Sequence, residues 1–124
     1  MLEEARKVSA ELGLQILHET WVPGSLEKPL ALRRLLIRDD IDGAIALGII
    51  ERGETKHGLV MGQAVISAII SLELDLMKPI GIGILGPEIL PEQIASRLLP
   101  YSADAVRAAA VMLGVLKLDT NSND

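Results

Sequence analysis

The stretch GAIALGIIERGETKH, Gly43 to His57, passes from an unbroken apolar run into a polar turn. The run is the length of one buried strand, and its lack of polar alternation is the pattern of a strand covered on both faces. The turn sets flexible backbone at Gly53 beside the carboxylate of Glu54 and a helix N-cap at Thr55, with His57 in the first helical turn. Helix N-termini carry unpaired N–H groups and the positive end of the helix dipole. A phosphate or carboxylate can dock there without a metal, next to a group able to move protons.

Downstream, GLVMGQAVISAIISLELDLM reads as a long helix, with Val60, Ala64, Ala68, Leu72 and Leu76 expected on its inward face. PIGIGIL, residues 79–85, reads as a buried strand, and Gly86-Pro87 opens a loop. A short helix is expected from Pro91, because proline suits the first helical position, and a last helix from after Ser102 to about Leu118. Upstream, residues 2–12 have the apolar spacing of an amphipathic helix stopped by Gly13. LQILHETW, residues 14–21, reads as a strand. VPGS then gives a turn with Ser25 as N-cap, followed by a helix over 26–38 with Leu30, Ala31, Leu35 and Leu36 inward and Arg33, Arg34 and Arg38 outward. Strands alternating with helices predict an α/β domain: a parallel sheet covered on both faces, with right-handed crossovers. Ligands of such sheets bind beyond the carboxyl ends of the strands. The loops at that edge are VPGSLE, ERGETKH and GPEIL.

Composition narrows the function. The length of 124 residues suits one domain, expected over 1–118 with a polar tail at 119–124. The 49% hydrophobic content and mean hydropathy of +0.36 are high for a small domain and imply a large buried subunit interface. A membrane span needs about 18 consecutive apolar residues, and Glu73, Asp75 and Lys78 interrupt the longest run. The charged N-terminus lacks the apolar core of a secretory signal, so a cytoplasmic setting is expected. The absence of cysteine removes disulfides, thiolate metal sites and cysteine nucleophiles, and two scattered histidines argue against a histidine metal site. A net charge of -5 argues against a partner held through nucleic-acid phosphates. Small molecules are the expected ligands.

Single motifs leave alternatives open. GIGILG spells a dinucleotide fingerprint, but Gly81 and Gly83 lie inside a strand pattern rather than in a turn opening a helix. Small residues there let a helix or a neighbouring subunit approach the sheet. By position His57 is either a solvated helix residue or a proton-transfer group, since imidazole titrates near neutral pH. Glu27 stabilises a helix dipole or contacts a ligand, and Arg97 is a surface residue or a phosphate grip. His18, inside a strand pattern, has no such context.

Three spaced segments together resemble the lumazine synthase family, particularly its archaeal members. VPGSLEKPLALRRLL is similar to the family's VPG-x-[FY]-[ED]-x-PLA loop and helix, DGAIALGIIERGETKH to its strand and G-[EA]-T-x-H loop, and KPIGIGILGPE to its third strand. The likeness covers roughly residues 1–115 in the same element order. It implies a three-layer αβα, flavodoxin-like fold and a transferase of riboflavin biosynthesis. Such enzymes condense 5-amino-6-(D-ribitylamino)uracil with 3,4-dihydroxy-2-butanone 4-phosphate to 6,7-dimethyl-8-ribityllumazine, with no metal or organic cofactor. Carried over by position, His57 falls on the proton-transfer histidine, Glu54 and Thr55 on the phosphate loop, and Arg97 on the arginine gripping the same phosphate. Ser25, Leu26 and Glu27, with Ile49, Ile50 and Glu51, fall on segments holding the ribityl and pyrimidine part, and Ile82 on the residue covering the ring from the adjacent subunit. Family sites form between neighbours in pentameric rings, some of which close into icosahedral shells.

The family begins with a further strand that lies inside the sheet and ends in an aromatic stacking on the substrate ring. This chain has no counterpart to it, so Met1 is expected to correspond to an internal methionine, with a genuine truncation as the alternative. Loss of that strand is expected to expose backbone pairing groups or rearrange the sheet. Leu26 and Ile82 stand where many members have aromatics, Trp21 and Tyr101 are the only aromatic residues, and a further basic phosphate ligand is absent near Tyr101. Two rival expectations follow: a non-catalytic relative that assembles or binds a flavin-like ligand, and the related archaeal riboflavin synthase.

Overall fold

The computed structural model describes residues 1–118; the expected tail at 119–124 lies outside them. Its centre is a parallel pair of strands, β1 (Ala44–Glu51) and β2 (Ile80–Ile89). The helix joining them is α3 (His57–Leu76). Ala44 pairs with Ile80 and the register holds to Ile49 opposite Leu85, after which Glu51 lies opposite Ile89. The extra length in β2 is taken up at Gly86-Pro87-Glu88, where Gly86 and Glu88 have φ of 91° and 69°.

Each face of the pair is covered. On one, Ala46, Ile50, Ile80 and Ile84 pack against Val65, Ile69 and Leu72 of α3 and against Leu32 and Leu36 of α2 (Lys28–Leu36). On the other, Ile45 and Leu47 meet Ala5 and Val8 of α1 (Leu2–Glu11) and Ala103 and Val106 of α5 (Leu98–Met112). The α/β, three-layer arrangement expected from the sequence is present. Gly81 and Gly83 behave as that pattern suggested. A Cβ on Gly81 would collide with the Ala105 carbonyl of α5, and one on Gly83 would lie 2.8 Å from Leu47 Cδ2.

Six expectations need correction. Residues 14–22 form no strand. Leu14 joins the α1/α5 core, but Ile16 and Leu17 are exposed and Trp21 is 80% exposed. A strand exists only through its ladder partner, and among the described residues β1 is hydrogen-bonded on one side only, to β2. Ser25 does not cap a helix: Ser25–Glu27 is a 3-10 turn without a side-chain cap, and α2 begins at Lys28. In α2 the buried residues are Leu32 and Leu36, with Leu30 exposed.

α3 is rotated relative to the sequence reading, with Gly62, Val65, Ile69 and Leu72 buried and Val60 62% exposed. A helix apolar nearly all round offers no marked face, so strand geometry rather than periodicity chose which side is covered. By length and composition α3 is also apolar enough to cross a membrane, contrary to the sequence reading. In this fold it covers the strand pair. Lastly, α5 starts at Leu98, before Ser102, because Pro100 falls in its first turn, where the missing N–H breaks no helical bond.

Candidate functional site

The anticipated ERGETKH loop follows β1, whereas the anticipated GPEIL loop is mostly strand, because β2 continues through Gly86-Pro87 to Ile89. β1 ends at Glu51, and α3 starts at His57. The first turn of α3 sits tightly on the strand end, since a Cβ on Gly58 would lie 3.1 Å from the Glu51 carbonyl oxygen. Thr55 is one residue ahead of the N-cap position, which Lys56 occupies, yet its hydroxyl accepts a hydrogen bond from the His57 N–H at 3.3 Å. Glu54, Thr55 and His57 are all exposed. A turn with no bulky cover, leading into a 20-residue helix, leaves N–H groups and the positive dipole end open to an anion, with an imidazole alongside.

The remaining candidates divide into two groups. Ser25, Leu26 and Glu27 form the 3-10 turn packed near α3, with Leu26 and Glu27 exposed and Ser25 half-buried. Ile49 is 41% exposed, Glu51 is exposed, and the Ile50 side chain is buried in the core, so what Ile50 can offer a ligand is backbone. Ile49, Ile50 and Glu51 run directly into the Glu54–His57 turn, and the Ser25–Glu27 turn packs against α3, the helix that this turn opens. Ile82 and Arg97 lie on other elements. Ile82 is mid-strand, opposite Ala46, half-buried against the core. Arg97 ends a 3-10 turn, Ala95–Arg97, that follows the short helix α4 (Pro91–Ile94), and its guanidinium donates to the Gln93 carbonyl at 2.8 Å.

Two residues of this region carried no signal in the sequence reading. Lys28 lies beside the Ser25–Glu27 turn, its amine over Gly48 of β1, where a Cβ would lie 2.9 Å from Nζ. Burial pushes its pKa down, and neighbouring Glu27 partly offsets this. Arg52 forms an ion pair with Glu88 at 3.2 Å, and its N–H donates to the Ile89 carbonyl at 2.9 Å. The spacing along the chain conceals both, because each partner sits on a different strand or helix.

Two grooves run along α3. One is lined by Gln63, Ile66, Ser67, Ile70, Ser71 and Pro87, and the other runs between α2 and α3 past Leu30, Arg33 and Asp75. Both are shallow and open.

A sequence model of the family described as 6,7-dimethyl-8-ribityllumazine synthase matches residues 1–118. The chain belongs to the lumazine synthase family. It is 39% identical to the 6,7-dimethyl-8-ribityllumazine synthase of Metallosphaera sedula over 112 residues, 90% of this chain and 74% of that one. The Methanococcus maripaludis synthase of the same description is 38% identical over 118 residues, 94% of this chain and 85% of its own length. The Methanopyrus kandleri synthase is 38% identical over 117 residues, covering 94% and 82%. All three relatives are archaeal. Membership in the lumazine synthase family spans both core layers and every candidate residue named above.

Proposed function

We propose that the chain catalyses the condensation of 5-amino-6-(D-ribitylamino)uracil with 3,4-dihydroxy-2-butanone 4-phosphate to 6,7-dimethyl-8-ribityllumazine, in the cytoplasm and within a homo-oligomer. The observation that carries this reading is the Gly53–His57 turn. A chain of this family presents, at the end of β1, a glycine, a hydroxyl already bonded to the helix start, and an exposed imidazole.

The chemistry asks for an anchored anion and a proton shuttle. The pyrimidine amine attacks the ketone and water departs to leave an imine; phosphate is then eliminated, and ring closure expels a second water. Each step moves a proton, and His57 is the group at hand to carry it. The phosphate seats on the N–H groups of the Gly53–Thr55 turn and the start of α3, which hold it while it becomes the leaving group. Ser25 to Glu27 and the end of β1 hold the ribitylamino-pyrimidine. Ile82 and Arg97 act from an adjacent subunit, in keeping with a guanidinium that, within its own chain, turns back to Gln93. The exposed outer side of α3, with Val60, Ile70 and Leu74 beside Gln63 and Ser67, is the corresponding subunit interface. A pentameric ring or a larger shell both satisfy this arrangement.

The direct experiment is to supply both substrates to this chain and to a form carrying an additional N-terminal strand, and to follow lumazine by its absorbance. Formation of lumazine that depends on both substrates and falls about 100-fold or more in His57→Ala is the expected result. If neither form makes lumazine, the reading is wrong. One observation favours a second reading, a relative that assembles or binds a flavin-like ligand without catalysis: among the described residues β1 is paired on one side only, to β2. A defined ring or shell by mass measurement, without turnover, would favour it.

A further inference from the structure

The end of β2 contains a residue that local energetics would not choose. Glu88 holds a left-handed backbone at φ 69°, a conformation that favours glycine or asparagine and costs a glutamate strain. Its carboxylate pairs with Arg52 at 3.2 Å, but the two side chains are 39% and 57% exposed, and ion pairs so open to water contribute little to stability. The pair is therefore a weak explanation for the strained backbone if folding is the only criterion.

Its position supplies another. Arg52 is the first residue after β1, and its own N–H is already tied to the Ile89 carbonyl. The segment Gly86-Pro87-Glu88 is the point where β2 leaves the regular register, and the Pro87 ring lies against Gly62 of α3, where a Cβ would come within 2.8 Å. Gly86 closes on the Ile50 carbonyl with no room for a side chain. One irregular stretch of β2 thus touches the last buried residue of β1, the second turn of α3 and the first residue of the loop joining them. It therefore buttresses both elements that flank the Gly53–His57 turn, the end of β1 and the start of α3.

We propose that Glu88 is a positioning residue, holding Arg52 so that the Gly53–Thr55 turn and His57 keep a fixed geometry for the phosphorylated substrate. The proposal rests on the lumazine synthase reading for its consequence in catalysis, but not for its consequence in loop order. Glu88 acts through Arg52, with which its carboxylate pairs. Its effect is carried by the Arg52 guanidinium and falls on the phosphate-binding side of the site, because the Ser25–Glu27 turn packs on α2 and α3.

The test uses the full chain with Glu88→Asn, a side chain too short to reach Arg52 but well suited to the left-handed backbone. The expected result is an unchanged or higher melting temperature together with a loss in kcat/KM on the order of 10- to 100-fold. The KM for the phosphorylated butanone should rise, while the KM for the ribitylaminouracil stays within about twofold. The double substitution Arg52→Glu with Glu88→Arg restores most of the loss, whereas Arg52→Glu alone does not. Amide exchange over residues 52–58, read by mass spectrometry, should quicken in Glu88→Asn and recover in the double variant. Unchanged kinetics, or equal losses for both substrates alongside a lower melting temperature, would overturn the proposal. If the wild-type chain makes no lumazine, the functional reading has failed, and exchange over 52–58 still decides: an unaltered rate in Glu88→Asn ends the positioning role.

Discussion

Two apolar stretches of this chain, LQILHETW at 14–21 and GAIALGII at 43–50, have similar credentials as strands and opposite fates. The second is β1, locked to β2 along its length and covered by helices on both faces. The first is irregular, anchored by Leu14 and by the Arg6–Glu19 ion pair to α1, with Ile16, Leu17 and Trp21 facing solvent. β-propensity expresses how well a residue suits a pleated, half-buried surface, and it has no force without the neighbouring strand that creates that surface. The contrast also divides the candidate site. The Gly53–His57 turn hangs on the paired stretch, while the segment leading to the Ser25–Glu27 turn comes from the unpaired one.

Gly81→Ala attacks the paired region where it has least room and is the most damaging change expected. The added methyl would have to occupy the space of the Ala105 carbonyl, which is backbone of a packed helix and cannot rotate away. Relief requires moving α5 off the sheet, and overpacking of this kind costs about 3 kcal/mol or more. Urea unfolding should show the loss directly. A cost below about 1 kcal/mol would mean that α5 is not seated on β2 as described.

A paired comparison of truncations sharpens the difference between the stretches. Ile69 is fully buried between α3 and the strands, so Ile69→Ala leaves a cavity and should cost about 2–5 kcal/mol. Ile16 has the same side chain, 44% exposed on the unpaired segment, and Ile16→Ala should cost no more than about 0.5 kcal/mol. Chemical denaturation of the two variants under one set of conditions measures the ratio. If Ile16→Ala proved as costly as Ile69→Ala, residues 14–22 would be packed in solution, against a surface that a single chain does not provide.

The parts that were legible in the sequence are those whose signal is local. The apolar runs of β1 and β2, the loop ending in His57, Gly13 as a helix stop and Pro91 as a helix start each depend on neighbours within a few residues. The facing of α3 was not legible. Val60, Ala64 and Ala68 are as apolar in spelling as the buried Val65 and Ile69, and only the strand pair distinguishes them. The candidate site shows the same limit. Thr55 and His57 could be placed together from their spacing, and the structure adds the hydrogen bond between them. The Arg52–Glu88 pair joins the ends of two strands separated by a whole helix, so its only trace in the sequence is an opposite charge just beyond each apolar run.

The smallest effect expected concerns what ties the unpaired stretch down. Arg6 Nε donates to Glu19 Oε2 at 2.7 Å, and this hydrogen bond, with the attraction between the charges, holds the Glu19 carboxyl below its usual pKa of 4.5. A carboxyl whose pKa is lower in the folded chain than in the unfolded one stabilises the fold above the unfolded value, and that contribution disappears as the pH falls through the folded value. The tether is therefore intact at neutral pH and is released only below the ordinary carboxylate range. Both side chains are open to solvent, so salt should weaken the tether and overall stability should hardly change. Trp21, the single tryptophan, lies on the tethered segment and is exposed, which makes its fluorescence anisotropy a local readout of chain mobility. Glu19→Gln should lower that anisotropy at pH 7 and remove its fall on acidification, with an unchanged urea midpoint. Anisotropy in Glu19→Gln equal to that of the wild type at pH 7 would mean that something other than this ion pair restrains residues 14–22, and the distinction between a paired strand and a merely tethered one would have to be redrawn.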